Sequence, residues 1–384
     1  MRVLLTGGRA PVALDLARQF ALAGAAVFVA DSAPCFLASS SRAVNRAFRV
    51  PPPRQQPHAF AEAIAAIAHH ERIDTIVPTC EEVFYLARFA KRLRECAELF
   101  CPDLEVLREL HDKWRFARLA RSLGIDAPQS TLLQSSNDVA RSCTEPECIV
   151  LKPVFSRFAV HTLVRPNRAA LATVRPSASR PWVAQRYIDG KEVFTYSVAR
   201  DGVLRAHAAY RPAWRAGEIG SGYFFEPADS AVAEGIVRRL VAEVRYTGQI
   251  SFDFIERSDG GVAVLECNPR ATSGVHLFGA QDGLAAAFER SAIGVARPAG
   301  GRPGMLAPAM LLLGVARALR RRRLRQFATD FRGARDALWS RHDPLPAFYL
   351  YLGLGAFVAQ GLWQGVSPTT ASTHDIEWDG EPIP

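Results

Sequence analysis

A predicted β-hairpin that carries three oxygen-bearing side chains constrains the fold and function of this chain more than any other feature. Its two strands flank Asp259-Gly260-Gly261, a sequence typical of tight hairpin turns. Asp253 lies on the first strand, and the alternation of side chains puts Glu266 and Asn268 on one face of the second. We therefore expect three hard oxygen ligands to converge at this ribbon.

This set of ligands suits magnesium. Mg²⁺ takes a few carboxylate or amide oxygens from protein and completes its octahedron with water and phosphate oxygens, and Mn²⁺ is a compatible substitute. Zinc is disfavoured because no His or Cys pair has ligand spacing. A plainer interpretation stays open, in which Asp253 and Glu266 are solvated cross-strand polar residues.

Two lysines provide a second signal. Lys152 ends a predicted strand, and a lysine held by a rigid strand neutralises phosphate as a point charge. Lys113 lies in the first turn of a predicted helix that begins at Asp112 and stops at Gly124. Most helical lysines are solvated, so neither residue identifies a site by itself.

The first part of the chain alternates strand and helix patterns. The predicted strands cover residues 2–5, 27–30 and 73–78. Thr6-Gly7-Gly8 turns from the first strand into a helix, so the chain opens with a βαβ unit. Thr79, Glu81 and Glu82 follow the third strand, at the edge that faces ligands in open parallel sheets.

The pattern then changes to short β-rich runs separated by turns, as in an antiparallel sheet. These runs cover residues 148–153, 182–188, 193–199, 204–210, 250–256 and 262–267, and a helix over 231–245 interrupts them. The fold class predicted from these patterns is an α/β unit followed by an α+β unit.

Five motifs follow one another along the chain: Asp112-Lys113 with Gly124-Ile125, Ile149-Val150-Leu151-Lys152-Pro153, Gln185-Arg186-Tyr187-Ile188-Asp189-Gly190-Lys191-Glu192, Asp253-Phe254-Ile255, and Leu265-Glu266-Cys267-Asn268-Pro269-Arg270. Their order resembles the ATP-grasp superfamily, specifically the ligases related to the carbamoyl phosphate synthetase large subunit and biotin carboxylase. The resemblance covers residues 1–279.

The resemblance implies an ATP-grasp architecture of three parts. Residues 1–110 would form a Rossmann-like parallel-sheet domain that precedes the ATP-grasp unit. Residues 111–297 would form the catalytic domain of antiparallel-sheet subdomains, with a lid over about residues 125–190. Residues 298–384, after a Pro- and Gly-rich linker, would form a helical, arginine-rich extension.

The resemblance also implies roles for individual residues. Nucleotide binding would involve Lys113, Lys152, Ser156, Gln185, Arg186, Tyr187, Ile188 and Glu192, with the lysines on the phosphates, the backbone of 185–188 on adenine and Glu192 on the ribose. Asp253, Glu266 and Asn268 would bind magnesium. Arg270 would steady the acyl phosphate or the incoming carboxylate and, with Lys152, would be catalytic.

The activity implied by the resemblance is ATP-dependent ligation. A carboxylate would be activated by Mg-ATP as an acyl phosphate and joined to an amine or a thiol, with ADP and phosphate as products. An amino acid or another small carboxylic acid is the expected substrate, and the nucleophile would lie near Thr272, Ser273 and His276. His276 is either a base for this step or a structural residue.

One segment departs from the family pattern. The loop after the phosphate-binding lysine is usually glycine-rich, whereas residues 154–161 contain no glycine and Phe158 stands where one is expected. Its closure over ATP is therefore an open question. A second glycine-containing segment, 217–222, either offers backbone N–H groups to an anion or is an ordinary loop.

Two other functional classes remain as alternatives. The Thr6-Gly7-Gly8 turn with Asp31 after the second strand is typical of a dinucleotide-binding oxidoreductase, but the third glycine of the fingerprint is missing. Alternatively, the protein binds a nucleotide or a membrane surface without catalysis, through the arginines of 317–325 and the apolar run of 345–359. We expect that run to pack on the core, because it is too short and too interrupted to span a membrane.

Composition narrows the setting. The net charge of +9 reflects arginines that crowd late in the chain, with no interleaved aromatic residues to stack on bases, so we expect no nucleic-acid partner. The seven cysteines show no repeated CxxC spacing, and the amino terminus runs directly into a strand pattern. We therefore expect a reduced, cytoplasmic protein. The resemblance also implies a possible homodimer, because related ligases are commonly dimers.

Overall fold

The computed structural model describes residues 1–156, 161–217 and 222–384. Within these residues the strands form one parallel sheet and two largely antiparallel sheets. The predicted fold class is confirmed. The limits of the three domains stay a prediction.

The parallel sheet has five strands in the order β3-β2-β1-β4-β5. Its strands are β1 (Arg2–Thr6), β2 (Ala26–Asp31), β3 (Arg46–Arg49), β4 (Thr75–Val77) and β5 (Glu98–Leu99). The accompanying helices are α1 (Pro11–Leu22), α2 (Pro57–His70), α3 (Glu82–Arg88), α4 (Ala90–Arg94) and α5 (Leu104–His111). Strand β1 is fully buried from Val3 to Leu5, as expected for a parallel sheet covered by helices on both faces.

The turn after β1 requires a glycine at position 7, both for its backbone conformation and for lack of space. Gly7 has φ +73°, and a Cβ atom there would lie 2.6 Å from Thr79 Oγ1. Glu82 then fastens β1 to β4, because its Oε1 accepts hydrogen bonds from Thr6 Oγ1 at 2.7 Å and from Thr79 N at 3.0 Å. Thr79 and Glu82 therefore hold the strand ends together, and of the three residues expected to face a ligand only Glu81 reaches the site described below.

A four-stranded antiparallel sheet follows, in the order β6-β9-β7-β8. Its elements are α6 (Lys113–Ser122), β6 (Ser130–Leu133), α7 (Ser136–Ser142), β7 (Ile149–Pro153), β8 (Leu163–Val164), α8 (Arg168–Leu171) and β9 (Trp182–Arg186). Leu133, Leu151, Val174 and Ala184 form its own small core. This sheet projects Lys152 from the end of β7.

The largest sheet has seven strands in the order β14-β13-β10-β11-β12-β15-β16. Its first part comprises β10 (Lys191–Arg200), β11 (Val203–Arg215), β12 (Gly222–Ala228), α9 (Ala231–Glu243), β13 (Gly248–Glu256) and β14 (Val262–Asn268). Strands β13 and β14 form the predicted hairpin, with Gly260 in its turn at φ +83°. Phe252 and Phe254 are buried beneath it.

The carboxyl-terminal region was predicted to be helical, but it also contains two short strands. It comprises β15 (Gly304–Met305), α10 (Ala307–Ala309), a π-helical turn (Met310–Gly314), α11 (Val315–Arg320), α12 (Leu324–Gly333), β16 (Arg335–Asp336), α13 (Leu345–Gln364) and α14 (Pro368–Ala371). Strand β15 pairs with the edge of β12 through Phe224 and Phe225, so two short strands extend the large sheet.

The length predicted for the late apolar run was wrong. Helix α13 has 20 residues and is long and apolar enough to cross a membrane by length and composition, although only 17% of its apolar window is buried. Its glycines do not interrupt it, because Gly353 and Gly361 are buried where another part of the chain passes close by. The helix ends at Gly365, which adopts the left-handed conformation of a C-cap.

The last ten residues return to the parallel-sheet domain. Trp378 stacks on Phe84 with ring centroids 4.6 Å apart and meets Phe155 edge-on at 5.0 Å. Arg9 donates to the Asp375 carboxylate from Nη1 and from Nη2, each at 2.7 Å. The tail therefore joins the amino-terminal domain to the segment that follows Lys152.

Trp378 provides a test of this joint. Trp378→Ala removes a side chain that is 2% exposed, so we expect a loss of about 3–5 kcal/mol in the free energy of unfolding. Trp363→Ala is the matched control, because Trp363 is 85% exposed and its removal should change stability by less than about 0.5 kcal/mol. Urea unfolding of both variants measures the difference, and equal losses would show that the tail does not pack as described.

Candidate active site

The three sheets enclose one large cavity of about 680 Å³. The four-stranded sheet contributes Val150, Lys152 and Gln185 to its wall, and the large sheet contributes Asp253 and Glu266. Its other end is lined by Ala10, Pro11 and Val12 at the start of α1 and by the segment after β14 that includes Arg270 and His276. Eleven of the twelve residues predicted for the site line this cavity, and the exception is Lys113.

The hairpin places its three oxygen-bearing side chains together. Asp253 and Glu266 are direct partners across β13 and β14, and a bulge follows Asp253. Asn268 Nδ2 lies 3.4 Å from Asp253 Oδ1. The convergence expected from strand alternation is therefore present, and the side chains are not separately solvated.

Two lysines approach the same carboxylates. The chain has only four lysines among 47 basic residues, yet Lys113 and Lys152 are both buried here. Lys152 Nζ lies 3.0 Å from Glu266 Oε2. Lys113 is not solvated, because its Nζ donates to the carbonyl oxygens of Ser156 at 3.1 Å and Val154 at 3.4 Å.

Burial and charge set the protonation of these groups in opposite directions. Burial alone would raise the pKa of Glu266, but the charges of Lys152 and Lys113 outweigh it and lower that pKa to about 2. Burial, followed by repulsion from Glu266, raises the pKa of Asp253 well above its usual value. Burial lowers the pKa of Lys113. Glu266 is therefore held ionised while Asp253 favours its protonated form, and a bound cation would be needed to keep both carboxylates ionised.

The set of ligands fits a magnesium ion that is shared with a bound anion. Asp253 and Glu266 supply carboxylates and Asn268 supplies an amide oxygen, which are the hard oxygens that Mg²⁺ prefers. In the described part of the chain no three His, Cys, Asp or Glu residues form a closed cage. Further ligands must come from water or substrate, and the metal role of these residues stays a prediction.

The other end of the four-stranded sheet forms a narrow hinge into the large sheet. Gln185 is buried and donates from Nε2 to Ser130 Oγ at 3.0 Å. The backbone N–H of Arg186 donates to Gln129 O and that of Tyr187 to Cys148 O. Within the described hinge, the N–H of Ile188 donates to no backbone oxygen, and Ile188 lines the cavity.

The remaining predicted nucleotide-binding residues lie along the same wall. Glu192 forms an ion pair with Arg215, an arginine that the sequence analysis did not select. Ser156 lines the cavity and accepts from Lys113 through its carbonyl. Residues 157–160 and 218–221, which include Phe158 and most of the second glycine-containing segment, lie outside the described residues.

Arg270 lies between the hairpin and the parallel sheet. Its Nη2 donates to Asn268 Oδ1 at 3.3 Å, and its Nε lies 3.4 Å from Glu81 Oε1. Glu81 is 2% exposed. It therefore reaches the site as expected for a residue after β4, but as a partner of Arg270.

His276 is held by an acid that sequence reasoning missed. Its Nδ1 lies 2.6 Å from Asp15 Oδ2, and Arg335 Nη2 donates to the His276 carbonyl at 2.6 Å. Burial alone would raise the pKa of Asp15, but the hydrogen bond with His276 and the charge of Arg335 outweigh it and lower that pKa. An acid on the apolar face of α1, between Leu14 and Leu16, was the signal available in the sequence.

An aromatic wall faces this dyad. Phe225 stacks on His276 with ring centroids 5.7 Å apart and meets Tyr210 edge-on at 5.7 Å. Phe225 and Tyr210 are buried and also line the cavity, so each of them packs in the core and forms part of the cavity wall. Cys267 is buried on the opposite strand face, as expected.

Solved structures share this architecture. The N5-carboxyaminoimidazole synthetase from Staphylococcus aureus complexed with ADP superposes with a TM-score of 0.61 at 15% identity, over 82% of this chain and 84% of that one. An L-amino acid ligase from Bacillus licheniformis gives 0.56 at 14% identity, over 74% and 68%. The biotin carboxylase domain of Hydrogenobacter thermophilus 2-oxoglutarate carboxylase, in complex with MgADP, ADP and bicarbonate, gives 0.56 at 15% identity, over 71% and 64%.

These neighbours are ATP-grasp enzymes. The chain has the ATP-grasp fold. No family model matches its sequence, and no curated protein sequence does. The resemblance seen in five motifs is therefore confirmed at the level of fold by three-dimensional similarity.

Within the ATP-grasp fold the dinucleotide alternative loses its main support. Asp31, the acid that would hold a ribose, is 3% exposed and lies 2.6 Å from Arg9 Nη2. It also accepts from the backbone N–H of Arg9 at 2.8 Å and from that of Ala33 at 2.8 Å. Asp31 is thus already engaged by its own chain.

A pair of aspartates on one hairpin tests the metal assignment. Asp253→Asn removes a carboxylate that faces the cavity, so we expect magnesium-dependent ADP binding to weaken at least tenfold. Asp259→Asn lies in the exposed turn of the same hairpin and should bind as the wild type does. Calorimetry with and without Mg²⁺ measures both variants, and wild-type binding by Asp253→Asn would remove that residue from the metal site.

Proposed function

We propose that this protein is an ATP-dependent ligase that joins a small carboxylic acid to an amine or a thiol through an acyl phosphate. The observation that carries this proposal is the convergence of Asp253, Glu266 and Asn268 with two buried lysines and Arg270 in one cavity. Two acids, an amide and three cations around a cavity of about 680 Å³ can hold a metal-bound polyphosphate and a second anion together.

The nucleotide would lie between the four-stranded and seven-stranded sheets. The Ile188 N–H at the hinge supports adenine recognition, and Glu192 with its partner Arg215 supports a ribose contact. Lys152 and Lys113 would neutralise phosphate oxygens. Asp253, Glu266 and Asn268 would hold Mg²⁺, which screens the phosphate charges when bound, and Mn²⁺ satisfies the same ligands.

The first chemical step forms the acyl phosphate. A substrate carboxylate oxygen attacks the γ-phosphorus of ATP, the bond from that phosphorus to the bridging oxygen breaks, and ADP leaves. Lys152 on one side and Arg270 on the other would face the moving phosphoryl group. The contribution of the protein is therefore alignment and electrostatic stabilisation.

The second step consumes the acyl phosphate. The nucleophile attacks its carbonyl carbon, the bond to the phosphate oxygen breaks, phosphate leaves and the nucleophile loses one proton. His276 lines the cavity and is oriented by Asp15, so we assign it as the group that takes this proton. The buried hydrogen bond to Asp15 orients the His276 ring, which favours this role over a purely structural histidine.

An amino acid or another small carboxylic acid fits the end of the cavity beyond Arg270. Arg270 supplies a guanidinium for a carboxylate, and Thr272 and Ser273 supply hydroxyl groups. Tyr210 and Phe225 supply an apolar wall. Small-molecule substrates are therefore the partners we assign to this site.

An ADP-release screen tests the function. Amino acids and small carboxylates are offered with candidate amines and thiols in the presence of Mg-ATP, and we expect at least one combination to release ADP and phosphate stoichiometrically. Glu266→Gln should abolish that release, whereas Glu243→Gln, on the exposed side of α9, should retain it. Equal release by wild type and Glu266→Gln with every substrate would contradict the proposal.

Lys152 offers a second test within the same assay. Lys152→Ala removes the cation 3.0 Å from Glu266, so we expect the ATP concentration at half-maximal rate to rise at least tenfold. Lys191→Ala is the matched control, since Lys191 is exposed at the start of β10 and should leave the ATP titration unchanged. Circular dichroism confirms that both variants are folded. An unchanged titration for Lys152→Ala would remove it from the phosphate site.

A further inference from the structure

Helix α13 exposes an apolar surface that the site does not use. Its 20 residues include no Asp, Glu, Lys, Arg or His. Against the described residues, its most closely packed positions form a narrow stripe of Pro346, Leu350, Gly353, Phe357 and Gly361. Leu352 and Leu362 on the outer side are 57% and 81% exposed. A helix that is apolar all round is normally buried, so this one lacks a covering partner among the described residues.

A second exposed apolar segment precedes α13 in the chain. Three consecutive leucines, Leu311, Leu312 and Leu313, are exposed in the π-helical turn. Asp336 fastens the start of this segment to the chain that leads to α13, because Oδ1 accepts from Ala307 N at the start of α10 and Oδ2 accepts from Trp339 N, both at 3.1 Å.

The helix with the exposed leucines continues into a dense positive charge. Residues 291–329 contain no acidic residue, and the six arginines from 317 to 325 all follow the leucines. The first acids after this stretch are engaged elsewhere: Asp330 accepts from Trp214 Nε1 at 2.8 Å, and Asp336 caps α10 as described. This basic and apolar surface, comprising 311–325 and the outer side of α13, has the composition of segments that bind anionic lipid.

Both ends of α13 are fastened to the parallel-sheet domain. Before the helix, Asp343 accepts from Arg18 Nε at 2.9 Å and from Ser41 Oγ at 2.6 Å. After it, Asp375 pairs with Arg9 at 2.7 Å. A helix of about 30 Å held at both ends along one domain could span a bilayer only if these contacts broke.

We propose that the basic and apolar surface docks this protein peripherally on an anionic phospholipid bilayer. The leucines and aromatic residues of α13 and of 311–313 enter the interfacial region, and the arginines of 320–325 contact the headgroups. Leu306 lines the cavity and immediately precedes α10, so docking brings the substrate end of the cavity close to the bilayer. This inference is independent of the proposed ligase activity.

Vesicle co-sedimentation of the full chain tests the proposal. We expect binding to vesicles of phosphatidylglycerol and phosphatidylcholine, little binding to phosphatidylcholine alone, and weaker binding as salt rises. Leu352→Glu should reduce partitioning at least tenfold. Val232→Glu is its matched control, because Val232 is equally exposed on α9, and it should bind as the wild type does.

The arginines are tested separately. The double variant Arg320→Gln/Arg322→Gln should lower partitioning about 30-fold at low salt, from about five- to sixfold for each charge. Arg118→Gln/Arg121→Gln, on the exposed side of α6, should have no effect. ADP release by all variants in the absence of vesicles reports whether the site is intact, so failure of docking and failure of the ligase proposal are distinguishable.

Three outcomes would overturn the docking proposal. The first is a chain that stays in the supernatant with anionic vesicles. The second is light scattering that shows a wild-type dimer, a Leu352→Glu monomer and no vesicle binding, since a second copy would then cover the surface. The third is association that survives both high salt and alkaline extraction, which would indicate a spanning helix.

Discussion

The arrangement of the site depends on two carboxylates that lie face to face on one β-ribbon. Asp253 and Glu266 are register partners in a largely buried place, and such a pair is stable only if cations or protons compensate it. Lys152, delivered from a different sheet, lies 3.0 Å from Glu266 and holds its pKa at about 2, while Asp253 is left with a raised pKa. The contact that joins the two sheets is therefore also the contact that keeps one acid ionised beside the cavity.

This pairing explains why the grouping of the three hairpin side chains could be predicted from the sequence, whereas the residues that support the site could not. Strand alternation places Glu266 and Asn268 on one face of β14, and the pairing of the hairpin strands places Asp253 opposite Glu266. Local patterns in the sequence are therefore enough to bring these three side chains together. Asp15 and Arg335, which hold His276, are 261 and 59 residues away from it along the chain, and no local pattern relates such distant positions. Glu81 was expected near a ligand from its place after β4, but its contact with Arg270 depends on how two domains pack.

The same reasoning separates the parts of the fold that were anticipated from those that were not. The buried strands β1, β2 and β4 of the parallel sheet and the strands β10, β13 and β14 of the large sheet have strong periodic patterns, and they appear within a few residues of their predicted limits, whereas β12 was not predicted. The two-residue strands β15 and β16 have no pattern of their own, because their pairing is set by the exposed edge of β12. Helix α13 was underestimated because glycines were taken as breaks, whereas Gly353 and Gly361 allow close approach of neighbouring backbone.

The carboxyl-terminal region therefore has two faces with different physical roles. Its inner side completes the catalytic unit: β15 and β16 extend the large sheet, Arg335 holds His276 and Asp15, and Trp378 packs against Phe155 just beyond Lys152. Its outer side carries the uncharged helix α13 in one segment and the arginines of 317–325 in another. A surface that only faces water does not require apolar and charged residues to be separated in this way. The same region supplies both faces, so the exposed outer side is joined by direct packing to the segment after Lys152 and to the His276 end of the cavity.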